Sequence, residues 1–195
     1  SLVELLKKQR DAVGLSLFTE KLELHTPSKS SLAHHRYLYS ELEKRLTTYQ
    51  EQKKSKTDSI PILHEIAELC HKRSLVLIFT DLLDNPEKEK EFFSALQHLK
   101  HNKHKVVVFH VIDKKTEINF NFDNAPRKFI DIETGEQINI FADTIKEVYE
   151  EKVTDYFKTL AMTCAQNKIK YVPVAVEDSF EKILTTYLVE KQMFG

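Results

Sequence analysis

The chain has 195 residues, 41% of them hydrophobic and 30% charged, and its 29 Lys and Arg against 30 Asp and Glu leave a net charge of −1. That balance belongs to a folded protein rather than a disordered one, and the even spread of charge offers no basic stripe for nucleic acid or an anionic membrane surface. No apolar run approaches the ~20 residues of a membrane span and no signal-peptide pattern is present, so the composition predicts one cytoplasmic domain over residues 1–195.

Leu2, Val3, Leu5 and Leu6 recur at helical spacing ahead of Lys7, Lys8 and Arg10, whose charges suit a helix carboxyl end. The start at Ser1, already inside that pattern and without an initiator Met, reads as a fragment. Residues 12–18 and 21–26 then read as strands joined by a short turn, an antiparallel hairpin whose second strand alternates apolar and polar residues as an edge strand does. Ser30 or Ser31 caps a helix to about Tyr49, with Leu32, His35, Leu38, Leu42, Leu46 and Tyr49 on its inward stripe. A polar, lysine-rich loop follows, and Pro61 lies in the first turn of a helix from Ser59 to Lys72, with Cys70 on its inner face.

The run Leu75 to Phe79 is continuously apolar and reads as a central parallel strand covered on both faces by helices. It ends in Thr80, Asp81 and Asp84, and open parallel sheets bind ligands at such carboxyl ends. A helix from Pro86 to Lys100 and a second buried strand, KVVVFHVI from Lys105, come next, and that strand again ends in an acid, Asp113. A less regular stretch leads to a β-hairpin near residues 129–141 with Gly135 in its turn. Asp143 caps a long helix to about Asn167, IKYVPVAV from Ile169 is an edge strand because it carries Pro173, and Asp178 with Glu181 resembles a capping box for the last helix. Alternating strands and amphipathic helices predict an α/β fold with a mostly parallel sheet.

Three glycines, at 14, 135 and 195, are too few and too scattered for a dinucleotide fingerprint or a phosphate-cradling loop, and no G-x-S-x-G elbow occurs. Cys70 and Cys164 have neither metal nor redox spacing and read as buried free thiols. Among nine histidines, His98, His101 and His104 recur every three residues and His64 and His71 share a helix, but the first set runs into the loop HLKHNKH with no nearby Cys or carboxylate to complete a zinc site, so solvated histidines are the reading. The oxygen-bearing pairs Thr57-Asp58 and Thr80-Asp81 are different. A right-handed crossover brings both to one rim of the sheet, where hydroxyl and carboxylate oxygens suit a hard cation such as Mg2+.

RDAVGLSLF from Arg10, KTD from Lys56, KRSLVLIFTDLLD from Lys72, SALQHLKHNKHKVVVFHV and FIDIETGE from Phe129 together resemble the carboxyl-terminal half of bacterial proteins of the domain of unknown function 58 family. The likeness covers nearly the whole chain. It implies a von Willebrand factor A-like, Rossmann-like fold, in which a metal-ion-dependent adhesion site uses a D-x-S-x-S motif, a threonine from a second loop and an aspartate after the central strand. By position, Thr57 resembles the metal-binding threonine and Asp81 the third-loop aspartate, which often acts through water. The D-x-S-x-S motif does not occur in the sequence, and the resemblance places it, with its own strand, ahead of the first helix. Mg2+ is therefore expected in the full-length protein and not tightly in this chain. The absent strand would leave residues 12–18 and 75–80 roughly 10 Å apart with unpaired backbone. That slot is expected to close by direct pairing of the two, or with a strand from another copy or from further sequence.

Members of the family often occur with MoxR-type AAA+ ATPases, which implies a non-enzymatic interaction module acting as adaptor or assembly factor. The alternative is a hydrolase or phosphoryl-transfer enzyme using Asp81, Asp84 and Asp113 as metal or acid-base carboxylates.

Overall fold

The computed structural model describes residues 2–19, 21–47, 59–81, 89–120, 126–130 and 137–194. In chain order the elements are α1 (Leu2–Gln9), β1 (Ser16–Phe18), β2 (Leu22–His25), α2 (Leu32–Thr47), α3 (Ser59–Leu69), β3 (Leu75–Thr80), α4 (Glu89–His101), β4 (Lys105–Ile112), a π-helical turn (Lys114–Ile118), β5 (Pro126–Ile130), β6 (Gln137–Phe141), α5 (Ala142–Gln166), β7 (Lys170–Ala175) and α6 (Phe180–Phe194). They fall into two compact units, residues 1–74 with 85–105 and residues 75–84 with 106–195.

In the first unit β1 and β2 form the expected antiparallel hairpin, with Leu17 opposite Leu24 and a bulge before Phe18. Gly14 stands where the chain passes close to itself: a Cβ there would lie 2.6 Å from the Thr26 carbonyl oxygen. The Thr26 hydroxyl accepts the Leu15 N–H at 2.8 Å, which fixes that approach. Tyr39 of α2 donates to Glu4 of α1 at 2.8 Å, and this hydrogen bond is the main reason the Glu4 carboxyl lies below its ordinary range. The α2 stripe is only partly covered. His35 and Leu38 are buried, whereas Leu32 is 51% and Leu46 is 83% exposed. Helices α3 and α4 pack against each other, and α4 buries Phe92, Phe93, Ala95, Leu96 and Leu99. Asn102 ties the pair together by donating from Nδ2 to the Ala67 carbonyl at 2.9 Å.

Cys70 and Cys164 are free thiols; Cys164 is buried, but Cys70 is only half-buried, and burial pushes its thiol up. His104 is not the solvated residue its spacing predicts. Its ring is buried, with Nδ1 accepting the Ser74 N–H at 3.1 Å.

In the second unit β3, β4 and β7 form a parallel sheet in that order, flanked by helices. Among the described residues, the segment 75–80 is therefore not the central strand. β4 is, and six of its eight residues are buried. Among the described residues β3 is an outer strand, and Phe79 is 46% exposed even though its ring stacks on Phe109 at 4.8 Å. An unbroken apolar run reports cover over the two faces of a strand, not neighbours along its two edges, which is why the sequence pattern misplaced it. Among the same residues β7 is the opposite outer strand, in keeping with Pro173.

One face of the sheet carries Val107, Phe109, Val172 and Val174, packed with Leu75, Leu77 and Ile183 of α6. Strand alternation turns His110 to the other face, where Phe157 of α5 meets its ring edge-on at 5.0 Å. The hairpin of β5 and β6 is present, with Phe129 opposite Ile138, and starts three residues earlier than the sequence pattern indicates. Among the described residues β1 pairs with β2 in a two-stranded sheet, and Val13 bridges to Lys29 beside it.

Candidate functional site

Asp81 follows β3 and Asp113 follows β4, so both strands deliver a carboxylate at the end of the sheet where open α/β folds place their sites. What fixes Asp81 is its backbone. Its carbonyl oxygen accepts a hydrogen bond from His110 Nε2 at 2.8 Å, and His110 Nδ1 accepts one from the Tyr171 hydroxyl at 2.6 Å. A carbonyl can only accept, so Nε2 carries a proton, and the neutral ring is then a single tautomer. Burial holds the His110 imidazole below its ordinary value and pushes the Tyr171 phenol up, so both groups stay uncharged. His110 was invisible as anything but a strand residue in KVVVFHVI. The available signal was a lone imidazole inside an otherwise apolar strand, which must find buried partners.

Asp113 is used differently. It caps the π-helical turn, accepting the Lys115 N–H at 2.9 Å and the Thr116 N–H at 3.4 Å. Hydrogen bonds from Thr116 and Lys115 hold its carboxyl below the usual range. Glu117 completes a reciprocal arrangement by accepting the Asp113 N–H at 3.1 Å. This is the logic of a capping box, with the partner one residue further along because a π turn holds more residues than an α turn. Burial, reinforced by the negative charges of Asp113 and Asp81, pushes the Glu117 carboxyl up. Tyr149 of α5 anchors the same turn by donating to the Glu117 carbonyl at 3.0 Å.

Asp178 is not the capping-box residue that its spacing to Glu181 suggests. Its carboxylate turns back to the Ala175 N–H at 3.1 Å and pairs with Lys114 at 2.9 Å and Lys182 at 3.0 Å, which together hold it well below the ordinary range.

Thr57, Asp58 and Asp84 lie outside the described residues, so of the oxygen donors expected at this rim Thr80, Asp81 and Asp113 are placed and these three are not. Among the described residues no group of three His, Cys, Asp or Glu side chains is arranged to hold a metal ion. Also among them, no helix is long and apolar enough to cross a membrane.

No curated protein and no solved structure matches the chain. The family model described as "Protein of unknown function DUF58" does match, over residues 1–159, with β7 and α6 beyond the matched span, and the chain belongs to that family.

Proposed function

We propose that the chain is a non-enzymatic, von Willebrand factor A-like protein-interaction module of the cytoplasm, acting with a MoxR-type AAA+ ATPase as adaptor or assembly factor. The observation that carries this reading is the delivery of Asp81 to the carboxyl end of a parallel strand, with its backbone held by a buried neutral imidazole. An exposed carboxylate there fits a hard cation. Thr57 and Asp81 are the residues of this chain that would hold Mg2+, which would supply a positive centre for a carboxylate of the partner. The D-x-S-x-S motif that provides most ligands in such sites does not occur in these residues, so on this reading the chain alone holds Mg2+ weakly. A second copy pairing along the outer edge of β3 is part of the same proposal.

Binding of a purified MoxR-type ATPase to the full-length protein, compared in Mg2+ and in EDTA, tests it. Asp81→Ala is expected to weaken a Mg2+-dependent complex by tenfold or more, on the order of a lost charge-assisted contact. Equal binding under all conditions would overturn the metal-dependent reading.

The raised carboxyl of Glu117 beside Asp113 and Asp81 favours a second reading, a metal-dependent hydrolase or phosphoryl-transfer enzyme. Phosphatase or esterase activity lost in both Asp81→Ala and Glu117→Gln would establish it in place of the first.

A further inference from the structure

Helices α3 and α4 bring together three side chains that the sequence keeps far apart. His64 and His98 face each other with their Nδ1 atoms 3.0 Å apart, and His98 Nε2 lies 2.7 Å from Glu68 Oε1. We propose that His64 and His98 bind a divalent transition-metal ion of the Zn2+ class, with Glu68 as the residue that positions His98.

The hydrogen bonds fix which nitrogen is available. A carboxylate accepts only, so Nε2 of His98 carries a proton, and in the neutral ring it is Nδ1 that presents a lone pair to His64. Without metal, that lone pair accepts the His64 Nδ1–H. With metal, His64 carries its proton on Nε2 instead, both Nδ1 lone pairs point at the ion, and no net proton is released.

The spacing is close to what this requires. Two Zn–N bonds of about 2.0–2.1 Å at a tetrahedral angle hold their nitrogens about 3.3 Å apart, a few tenths of an ångström more than the present separation. The rings are tilted by 41° with centroids 5.2 Å apart, so a small rotation opens the gap. A carboxylate behind a ligating imidazole is the usual partner that sets ring orientation and raises basicity.

The two helices that carry the ligands are held in register. Leu63 and Ala67 on α3 and Leu96 and Leu99 on α4 are buried, and Asn102 bridges to the Ala67 carbonyl. The ligands themselves stand at the surface, with the His98 side chain 30% and the Glu68 side chain 69% exposed. An ion can therefore enter, and water completes its coordination. Paired imidazoles select Zn2+, Ni2+ or Cu2+ over Mg2+, so this site differs in chemistry from the oxygen donors at the end of β3. The local motif HLKHNKH gives no hint of it, because its partners come from another helix.

The test is a Zn2+ titration of the tag-free full-length protein by calorimetry near neutral pH, with far-UV circular dichroism and a thermal melt on each variant. Saturable binding of one ion per chain through this pair is expected, unaffected by excess Mg2+. His64→Ala and His98→Ala should each lower the affinity by at least about tenfold, and Glu68→Gln, which keeps the side-chain shape, by about 10–100-fold. His101→Ala, at an exposed position on the same helix, should leave it unchanged. Shifts of the His64 and His98 ring resonances on adding Zn2+ would support the assignment without any variant. No saturable binding, or an affinity equal in the wild type and in folded Glu68→Gln, His64→Ala and His98→Ala, would overturn it and leave the pair as a hydrogen-bonded clasp between two helices.

Discussion

At the end of β3 one imidazole decides where the Asp81 backbone lies, and one phenol decides how that imidazole is protonated. Tyr171→Phe removes the donor and leaves His110 Nδ1 buried without a partner, at a cost of about 1–3 kcal/mol. Urea denaturation measures this, and an unchanged midpoint would show that the ring does not depend on Tyr171. His104 makes a second prediction, in pH. Burial is the main cause holding its imidazole below the ordinary value, and nearby His71 adds to it. The unfolded chain therefore takes up the proton more readily than the folded one. The stability this represents is whole above the unfolded value of about 6.5 and is lost progressively as pH falls from there toward the depressed folded value. His110 acts in the same direction. His104→Gln keeps an acceptor for Ser74 but cannot titrate, so denaturant melts between neutral pH and pH of about 5 should show a shallower loss than the wild type. An identical slope would assign the loss elsewhere.

The ends of the helices explain how a chain with three glycines stops its elements. α1, α4 and α5 end in the same pattern, with Arg10, Lys103 and Lys168 at positive φ. In each, the N–H of that residue bonds three residues back and the N–H of the next bonds five back: Arg10 to Lys7 and Asp11 to Leu6, Lys103 to Lys100 and His104 to Leu99, Lys168 to Ala165 and Ile169 to Cys164. These are Schellman motifs with a cation where glycine is usual. The left-handed backbone costs a non-glycine residue about 1–2 kcal/mol, partly offset by placing positive charge at the negative end of the helix dipole. Lys168→Gly should therefore stabilise the protein by a few tenths to about 1 kcal/mol, the gain reduced by glycine's greater freedom when unfolded. A lower melting temperature would mean that the cation outweighs the strain. Local pattern sufficed at this scale in places: β4 and β6 have the bounds 105–112 and 137–141 that the sequence predicts, and Pro173 marks a strand that is outer among the described residues. It failed where the deciding partner is distant. The π turn depends on a carboxylate four residues from its cap and on Tyr149 of α5, and neither is a feature of local periodicity.

For the whole molecule, the sequence identified the α/β class and brought Asp81 to a strand end, but could not show the pairing of His64 with His98 or the burial of His110, because both arise only when separate elements pack. The order of the sheet was likewise out of reach, and it bears on the proposed self-association. Ser74 turns its carbonyl to Lys105, which donates to it at 3.0 Å, so the alternation of a parallel strand turns the backbone groups of Leu75, Leu77 and Phe79 away from β4. Among the described residues no strand pairs with that side of β3. The two outer strands differ in how they resist addition of another. β7 carries Pro173, which has no N–H to offer, whereas β3 has neither proline nor lysine along its length. Sedimentation velocity over rising protein concentration should thus show reversible association, and Phe79→Lys, which sets a charge on the half-exposed end of β3, should suppress it. Stacking of Phe79 on Phe109 makes some loss of stability inevitable in this variant, so its denaturation midpoint is measured alongside. A folded Phe79→Lys protein that still associates as the wild type does, or a wild type that stays monomeric at every concentration, would rule out pairing of two copies through β3.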